Sequence, residues 1–486
     1  MSNLNNNDIQ RKPRLSFWQI WNVSFGFLGV QFGFALQNAN ASRILSNLGA
    51  DLESLSLFWL VAPIMGLIIQ PIVGSASDRT WNRLGRRTPY ILAGGIAAAF
   101  GMLLMPNSAS LAHIITPLLF GAMMLAIMDA SFNLAFQPFR ALVSDMVPAE
   151  QRNVGYSIQS FLINVGGVCG SIMPFILTNM IGLDNTASAG NVAPSVIWAF
   201  YIGASVMLGS VLWTVFRTKE YAPNTNGLAP LTKNTEKSAL TKKLSHFLSL
   251  VKTMPTTMKQ LAVVQFFSWF ALFIMWVYTT PAITQHIWGI DAKWFNPHYL
   301  ESVGNIPGNI AAAKGAAGDW VGIIFAAYQL FAAIASLFMI KLAHKIGRKL
   351  TYSLSLFAGG IGYLSIMLFN DPTLISVNLF ITQITVPQGA VELFIPMIGV
   401  GIAWAAILAM PYAILAGSLP VKQTGVYMGI FNFTIAAPQI ISGLFAGWIL
   451  SNIFENHAIY IIMMAGAAMI LAAIAVYFVK DTSATD

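Results

Sequence analysis

The chain is governed by one recurrence. Twelve stretches of about 20 apolar residues follow one another, at roughly 17–37, 55–76, 89–106, 112–145, 155–181, 194–216, 259–284, 320–342, 351–370, 391–416, 425–452 and 457–479. About 20 residues of helix cross a hydrocarbon layer about 30 Å thick. Lipid offers no partner to an open backbone amide, so segments of this length must close their own hydrogen bonds as α-helices. A membrane barrel would instead show short strands of alternating polarity. The expected class is an all-α membrane protein, and 56% hydrophobic against 9% charged residues agrees with it.

The net charge of +8 invites a nucleic-acid partner, but the distribution of charge argues for a lipid bilayer. With the N-terminus inside, 22 of the 26 Lys and Arg residues fall on the inner side. Arg43, Lys293 and Lys314 fall outside, and Arg140 falls within the membrane. That bias predicts both termini in the cytoplasm and a multi-pass protein of the plasma (inner) membrane, with no nucleic-acid partner. Residues 1–10 are polar and Asn-rich, so the first span is expected to be an uncleaved helix and not a signal peptide. The single Cys169, in an apolar stretch, reads as a small core residue. The chain carries no phosphate-binding glycine loop, paired catalytic His or metal cluster. Neither enzymatic chemistry nor ATP drive is expected, and no cofactor.

The fourth span holds the most expensive residues. It reads Asp129-Ala-Ser-Phe-Asn133-Leu-Ala-Phe-Gln137-Pro138-Phe-Arg140-Ala-Leu-Val-Ser-Asp145. A charge in such a segment costs about 2.5–3.5 kcal/mol on insertion scales, so an ionisable group there is a functional hypothesis by default. Helix geometry brings positions 129, 133 and 140 within about 40° of one face, with Gln137 on its flank. The rise separates Asp129 from Arg140 by about 16 Å, too far for an ion pair. They are expected to be two stations on one polar track.

A long polar stretch, 217–258, divides six spans from six. Its second part, roughly 238–254, alternates basic and apolar residues and suits a surface helix or a flexible linker. The halves repeat weakly: Pro138-Phe-Arg-Ala-Leu142 and Pro148-Ala-Glu-Gln151 return as Pro411-Tyr-Ala-Ile-Leu415 and Pro420-Val-Lys-Gln423. Such a repeat suits a transporter with its site between two bundles near mid-membrane. The charges do not repeat, because Ala413 stands where Arg140 would and Ile402 where Asp129 would. The expected units are 1–216, the linker 217–258, and 259–486.

The turn Gly74…Ser77-Asp78-Arg79-Thr-Trp-Asn-Arg83-Leu-Gly85-Arg86-Arg87-Thr-Pro89 reads as a charged latch, and its counterpart His344-Lys345-Ile-Gly347-Arg348-Lys349 lacks the acid. It resembles the signature loop of the major facilitator superfamily. With Gln31, Gln37 and Asn38 in span one, Gln70 in span two, the Asp129-to-Arg140 motif, and Asn432 with Gln439 in span eleven, the chain resembles the plant sucrose/proton symporters. It is also similar to their animal and bacterial disaccharide-transporting relatives, of glycoside-pentoside-hexuronide:cation symporter type. The chain differs from the plant members in its seventh span, which lacks their acids, and in the outer loop 285–318.

The resemblance implies twelve transmembrane helices in two pseudo-symmetric six-helix bundles, the major facilitator fold, and a protein acting as a monomer. It also implies that Asp129 and Arg140 serve proton coupling. Sugar recognition needs amides and carboxylates for hydroxyl groups and aromatic faces for the C–H side of a ring. The candidate set is Gln31, Gln37, Asn38, Gln70, Asp129, Asn133, Trp269, Asn432 and Gln439, with Asn164, Tyr278 and Trp404 available to complete it. The candidate latch is Gly74, Asp78, Arg79, Gly85, Arg86 and Arg87. The expectation is proton-coupled import of a disaccharide or other α-glucoside, sucrose or maltose first. The alternatives are sodium-coupled sugar uptake, drug antiport, or a non-transporting sensor on the same scaffold.

Overall fold

The structure, a computed structural model, describes residues 12–111, 114–222, 254–379, 381–416 and 424–480. Its long helices are α1 Gly26–Asn47, α2 Val61–Arg79, α3 Thr88–Leu104, α4 Pro117–Met146, α5 Arg152–Asn179 and α6 Pro194–Arg217, then α7 Thr256–His286, α8 Gly308–Ile346, α9 Arg348–Ser365, α10 Phe394–Ala416, α11 Thr424–Asn452 and α12 Ala458–Tyr477. Among the described residues eleven of these are long and apolar enough to cross a membrane. The one below that threshold is α1, whose Gln31, Gln37, Asn38, Asn40 and Arg43 dilute its apolar character. The helix Phe17–Ser24 precedes it, started by a capping box in which Ser16 and Gln19 satisfy each other's backbone amides.

Helices α1–α6 pack on one another, as do α7–α12, and the two groups meet through α1 with α7 and α8, α5 with α8, and α2 with α11. In lipid no hydrophobic force drives helices together, so close approach must come from small residues. A side chain at Gly29 would strike the Met207 backbone at 2.7 Å. One at Gly166 or Gly170 would strike the carbonyls of Leu28 and Phe32. Large side chains then fill the layers between, with Phe27, Phe132, Phe139 and Phe200 fully buried in one group and Phe273, Tyr278, Tyr352 and Tyr363 in the other.

Two expectations need correction. The first span extends to Asn47, ten residues beyond 37, because its polar positions face protein and not lipid. The eighth begins at Gly308 and not at 320, so Lys314 belongs to helix and not to the outer loop, and Asp319 lies within the same helix. Between α9 and α10, β1 Leu374–Leu379 and β2 Thr382–Pro387 form an antiparallel hairpin, with Leu374 opposite Pro387 and Leu379 opposite Thr382. The linker helix expected at 238–254 lies almost wholly outside the described residues.

Candidate functional site

The candidate site begins at Asp129, in the middle of α4 and only 1% exposed. Its Oδ1 accepts from Gln37 Nε2 of α1 at 2.9 Å. Its Oδ2 is buried without a partner, as is Oε1 of the same Gln37. A buried acceptor without a donor is costly, and a carboxylate oxygen especially so. From the backbone oxygen of Asp129 a chain of amides runs down the helix. Asn133 Nδ2 donates to that oxygen at 2.8 Å, Gln70 Nε2 of α2 donates to Asn133 Oδ1 at 2.7 Å, and Gln137 Nε2 donates to Gln70 Oε1 at 3.0 Å. One turn on, Arg140 is exposed. Asp129, Asn133 and Gln137 are thus joined through an amide that Gln70 brings from a second helix.

The second half answers with rings. Trp269 and Trp276 of α7 lie 6.1 and 5.9 Å from Trp404 of α10, both edge to face. Tyr328 of α8 stands perpendicular to Trp404 at 6.5 Å and accepts a long hydrogen bond from Trp276 Nε1 at 3.4 Å. Trp269 Nε1 is buried without a partner. Two contacts join the first half to the helices that carry these rings. Ser42 Oγ of α1 donates to Val277 O at 2.7 Å, beside Trp276. Gln329 Nε2, beside Tyr328, donates to Ser171 Oγ of α5 at 3.2 Å. Gln31 and Asn38 share the stripe of α1 that carries Ser42, and both are half-buried. Asn432 is exposed, and Gln439 donates to its own helix at Ile435 O, 3.1 Å away; neither is hydrogen-bonded to the α4 cluster among the described residues. Asn164 bonds within its helix too, to Ser160 O at 2.8 Å, and Tyr278 OH donates to Leu52 O at 3.2 Å.

The latch residues sit at the end of the molecule that carries the termini. Arg87 pairs with Asp78 at 2.6 Å and with Asp145, at the end of α4, at 2.9 Å, and Arg86 pairs with Asp78 at 3.1 Å. Gly85 turns the chain with φ of 115°. Nothing approaches Gly74 closely, and Arg79 is exposed. Nearby, Lys12 Nζ donates to Ser144 O at 2.7 Å; burial and Arg152 lower its pKa, against the opposing pull of Asp145. The sequence reading missed Glu220, just past α6. Its carboxylate takes the backbone amides of Arg86, Arg87 and Thr88 at 2.8–3.1 Å, capping the start of α3.

At the opposite end the halves are closed. Arg43 of α1 pairs with Asp319 of α8 at 2.7 Å, both buried. A small cavity lined by Arg43, Asn185, Thr280, Thr284 and Lys314 lies beside them. Sequence reasoning passed over this pair because it counted Arg43 as an outer-loop charge and began the eighth span one residue after Asp319. An acid and a base just beyond the outer ends of two apolar runs were the available signal. Tyr328, Trp276 and Gln329 were missed because an aromatic or amide in a long apolar run shows no partner until the helices are packed.

Comparison with known proteins adds the following. Residues 44–298 match a family model described as MFS/sugar transport protein, and residues 302–486 match one described as Major Facilitator Superfamily. The chain is 24% identical to the general alpha-glucoside permease of Schizosaccharomyces pombe, over 54% of this chain and 47% of that protein. It is 30% identical to the proton-associated sugar transporter A of Mus musculus, over 33% of this chain and 22% of that protein. It is 24% identical to the sucrose transport protein SUC4 of Arabidopsis thaliana, over 86% of this chain and 81% of that protein. The matched region thus spans half or less of the first two and four-fifths of the third. Among solved structures, the peptide transporter POT in complex with sulfate aligns with a TM-score of 0.62 at 14% identity, covering 96% of each chain. The nucleoside transporter NupG aligns at 0.58 and 16%, covering 95% of this chain and 98% of that one. At such identities they speak for the fold alone.

Proposed function

The chain belongs to the major facilitator superfamily, in the family described as MFS/sugar transport protein, and from there we propose that it is a proton-coupled symporter importing a disaccharide or other α-glucoside by alternating access. Sucrose and maltose are the first substrates to test, in keeping with the names of the permease and the sucrose transport protein it resembles.

The observation that carries the reading is the buried Oδ2 of Asp129, which has no donor in a site otherwise threaded by amide hydrogen bonds. A proton on that carboxyl removes a charge from low dielectric and turns an orphan acceptor into a donor. Protonation then becomes a condition for closing the site around cargo. The half-buried amides Gln31, Asn38, Gln70, Asn133 and Gln137 supply partners for sugar hydroxyls, and Trp269, Trp276 and Trp404 supply ring faces for the C–H side. The termini and the basic loops take the cytoplasmic side, so the closed end faces outward and Arg140 stands on the inner route of release. There its fixed positive charge favours loss of the proton from the track.

Uptake of labelled sucrose and maltose into proteoliposomes, driven by a pH step or a sodium gradient, tests this. The expected result is accumulation with the pH step alone. Uptake indifferent to both ions would remove symport, and sodium-driven accumulation would replace the proton.

A further inference from the structure

We infer that Arg43 and Asp319 form an ion pair that breaks and re-forms once in every transport cycle, and that it sets how much of the protein rests with the end opposite the termini closed. The inference rests on the alternating-access reading above but does not need the identity of cargo or coupling ion.

The pair joins the halves. Arg43 Nη1 meets Asp319 Oδ1 at 2.7 Å, with side-chain exposures of 5% and 3%. Asn185, in the turn after α5, completes a triangle: its backbone oxygen accepts from Arg43 Nη2 at 2.8 Å, and its Nδ2 donates to Asp319 Oδ2 at 2.9 Å. Both carboxylate oxygens and both terminal guanidinium nitrogens are thus engaged between α1–α6 and α8. By contrast, the pairs of Arg86 and Arg87 with Asp78 and Asp145 lie within one half. Two glycines one turn apart on α8 make room for the closure. A side chain at Gly318 would meet Arg43 at 2.7 Å, and one at Gly315 would meet Asn185 O at 2.6 Å.

The same end is zipped by neutral contacts as well. Ser56 Oγ donates to Gly443 O at 2.8 Å, and Tyr278 OH donates to Leu52 O at 3.2 Å. Neutral hydrogen bonds exchange cheaply with water, whereas two buried charges do not. While the end is closed the desolvated charges compensate each other; once it opens, water hydrates both. Removing one partner therefore penalises only the closed state, by stranding the other charge. Lys314 makes the two losses unequal. Its Nζ donates to Trp294 O at 3.0 Å, it borders the same cavity as Arg43, and the two cations repel. Losing Asp319 leaves Arg43 uncompensated beside a second cation, whereas losing Arg43 strands Asp319 but relieves Lys314 of that repulsion. Asp319→Asn should open this end more than Arg43→Gln does.

The test is a distance measurement on full-length protein in lipid nanodiscs, without sugar, in a Cys169→Ser background. Spin labels at Ser188→Cys and Ser302→Cys report the closed end, and labels at Asn153→Cys and Ser336→Cys report the other. With Asp319→Asn the first distance should lengthen and the second shorten, with a population change of about a hundredfold. Arg43→Gln should move both in the same sense by less, and the exchange Arg43→Asp with Asp319→Arg should restore the original distances. Gly318→Val keeps both charges but blocks the approach, so it should open the same end and reports even where a charge variant fails to fold. Unchanged distances in Asp319→Asn or in Gly318→Val would overturn the inference. A failure of proton coupling would instead appear only in the sugar-uptake assay and leave these distances as they are.

Discussion

The two halves of this protein share a helix plan and divide its chemistry. In the first, Asp129 is tied to Gln37, and Asn133, Gln70 and Gln137 carry hydrogen bonds away from it. In the second, the repeat positions of Asp129 and Arg140 are Ile402 and Ala413, and a wall of Trp269, Trp276, Trp404 and Tyr328 stands there instead. A buried carboxyl is expensive enough that duplicating it would strain a bundle held together mainly by van der Waals packing. One half can then specialise in charge and hydroxyl chemistry, and the other in an aromatic surface that is far cheaper to bury than a carboxylate.

If the halves divide labour in this way, damage to each should have a different signature. The largest effect is expected from Asp129→Asn. Uphill accumulation of labelled sucrose or maltose under a pH step should fall by about a hundredfold or more, while counterflow between equal concentrations persists. Adding Ile402→Asp to that variant should not restore accumulation, because among the described residues no amide chain like that of α4 runs from Ile402 to receive it. Trp404→Ala should raise KM about tenfold, or about 1.4 kcal/mol of lost ring contact, and leave the steady accumulation ratio unchanged. A KM unchanged by Trp404→Ala would take the aromatic wall out of the site. Gln70→Leu cuts the bridge between Asn133 and Gln137 and should lower the uptake rate about threefold, since the net value of one such bond is about 0.5–1.5 kcal/mol. The smallest effect on transport belongs to Glu220→Gln. It keeps the acceptor oxygen but loses the charge at the start of α3, so thermal stability should drop by about 1–2 kcal/mol with KM unaltered.

The latch and the closed end make a second contrast. Arg86, Arg87 and Asp78 were legible because a turn rich in Gly and Arg is a local pattern, visible within fourteen residues. Their partner Glu220 was not, being 132 residues from Thr88. Arg43 and Asp319 were hidden for the same reason, 276 positions apart.

What the chain alone determined is what local physics can decide. Twelve apolar runs admit only helices in lipid, and Asp129 announces itself by its cost. The order Asp129, Asn133 and Arg140 on one face, with Gln137 on its flank, follows from the pitch of a helix. Packing decided the rest: that Gln37 reaches Asp129, that Gln70 bridges Asn133 and Gln137, that three tryptophans from two helices form one wall, and that Arg43 meets Asp319. A side chain's partner on another helix depends on where glycines let the backbones approach and how the helices are rotated. No periodicity within one segment carries that information.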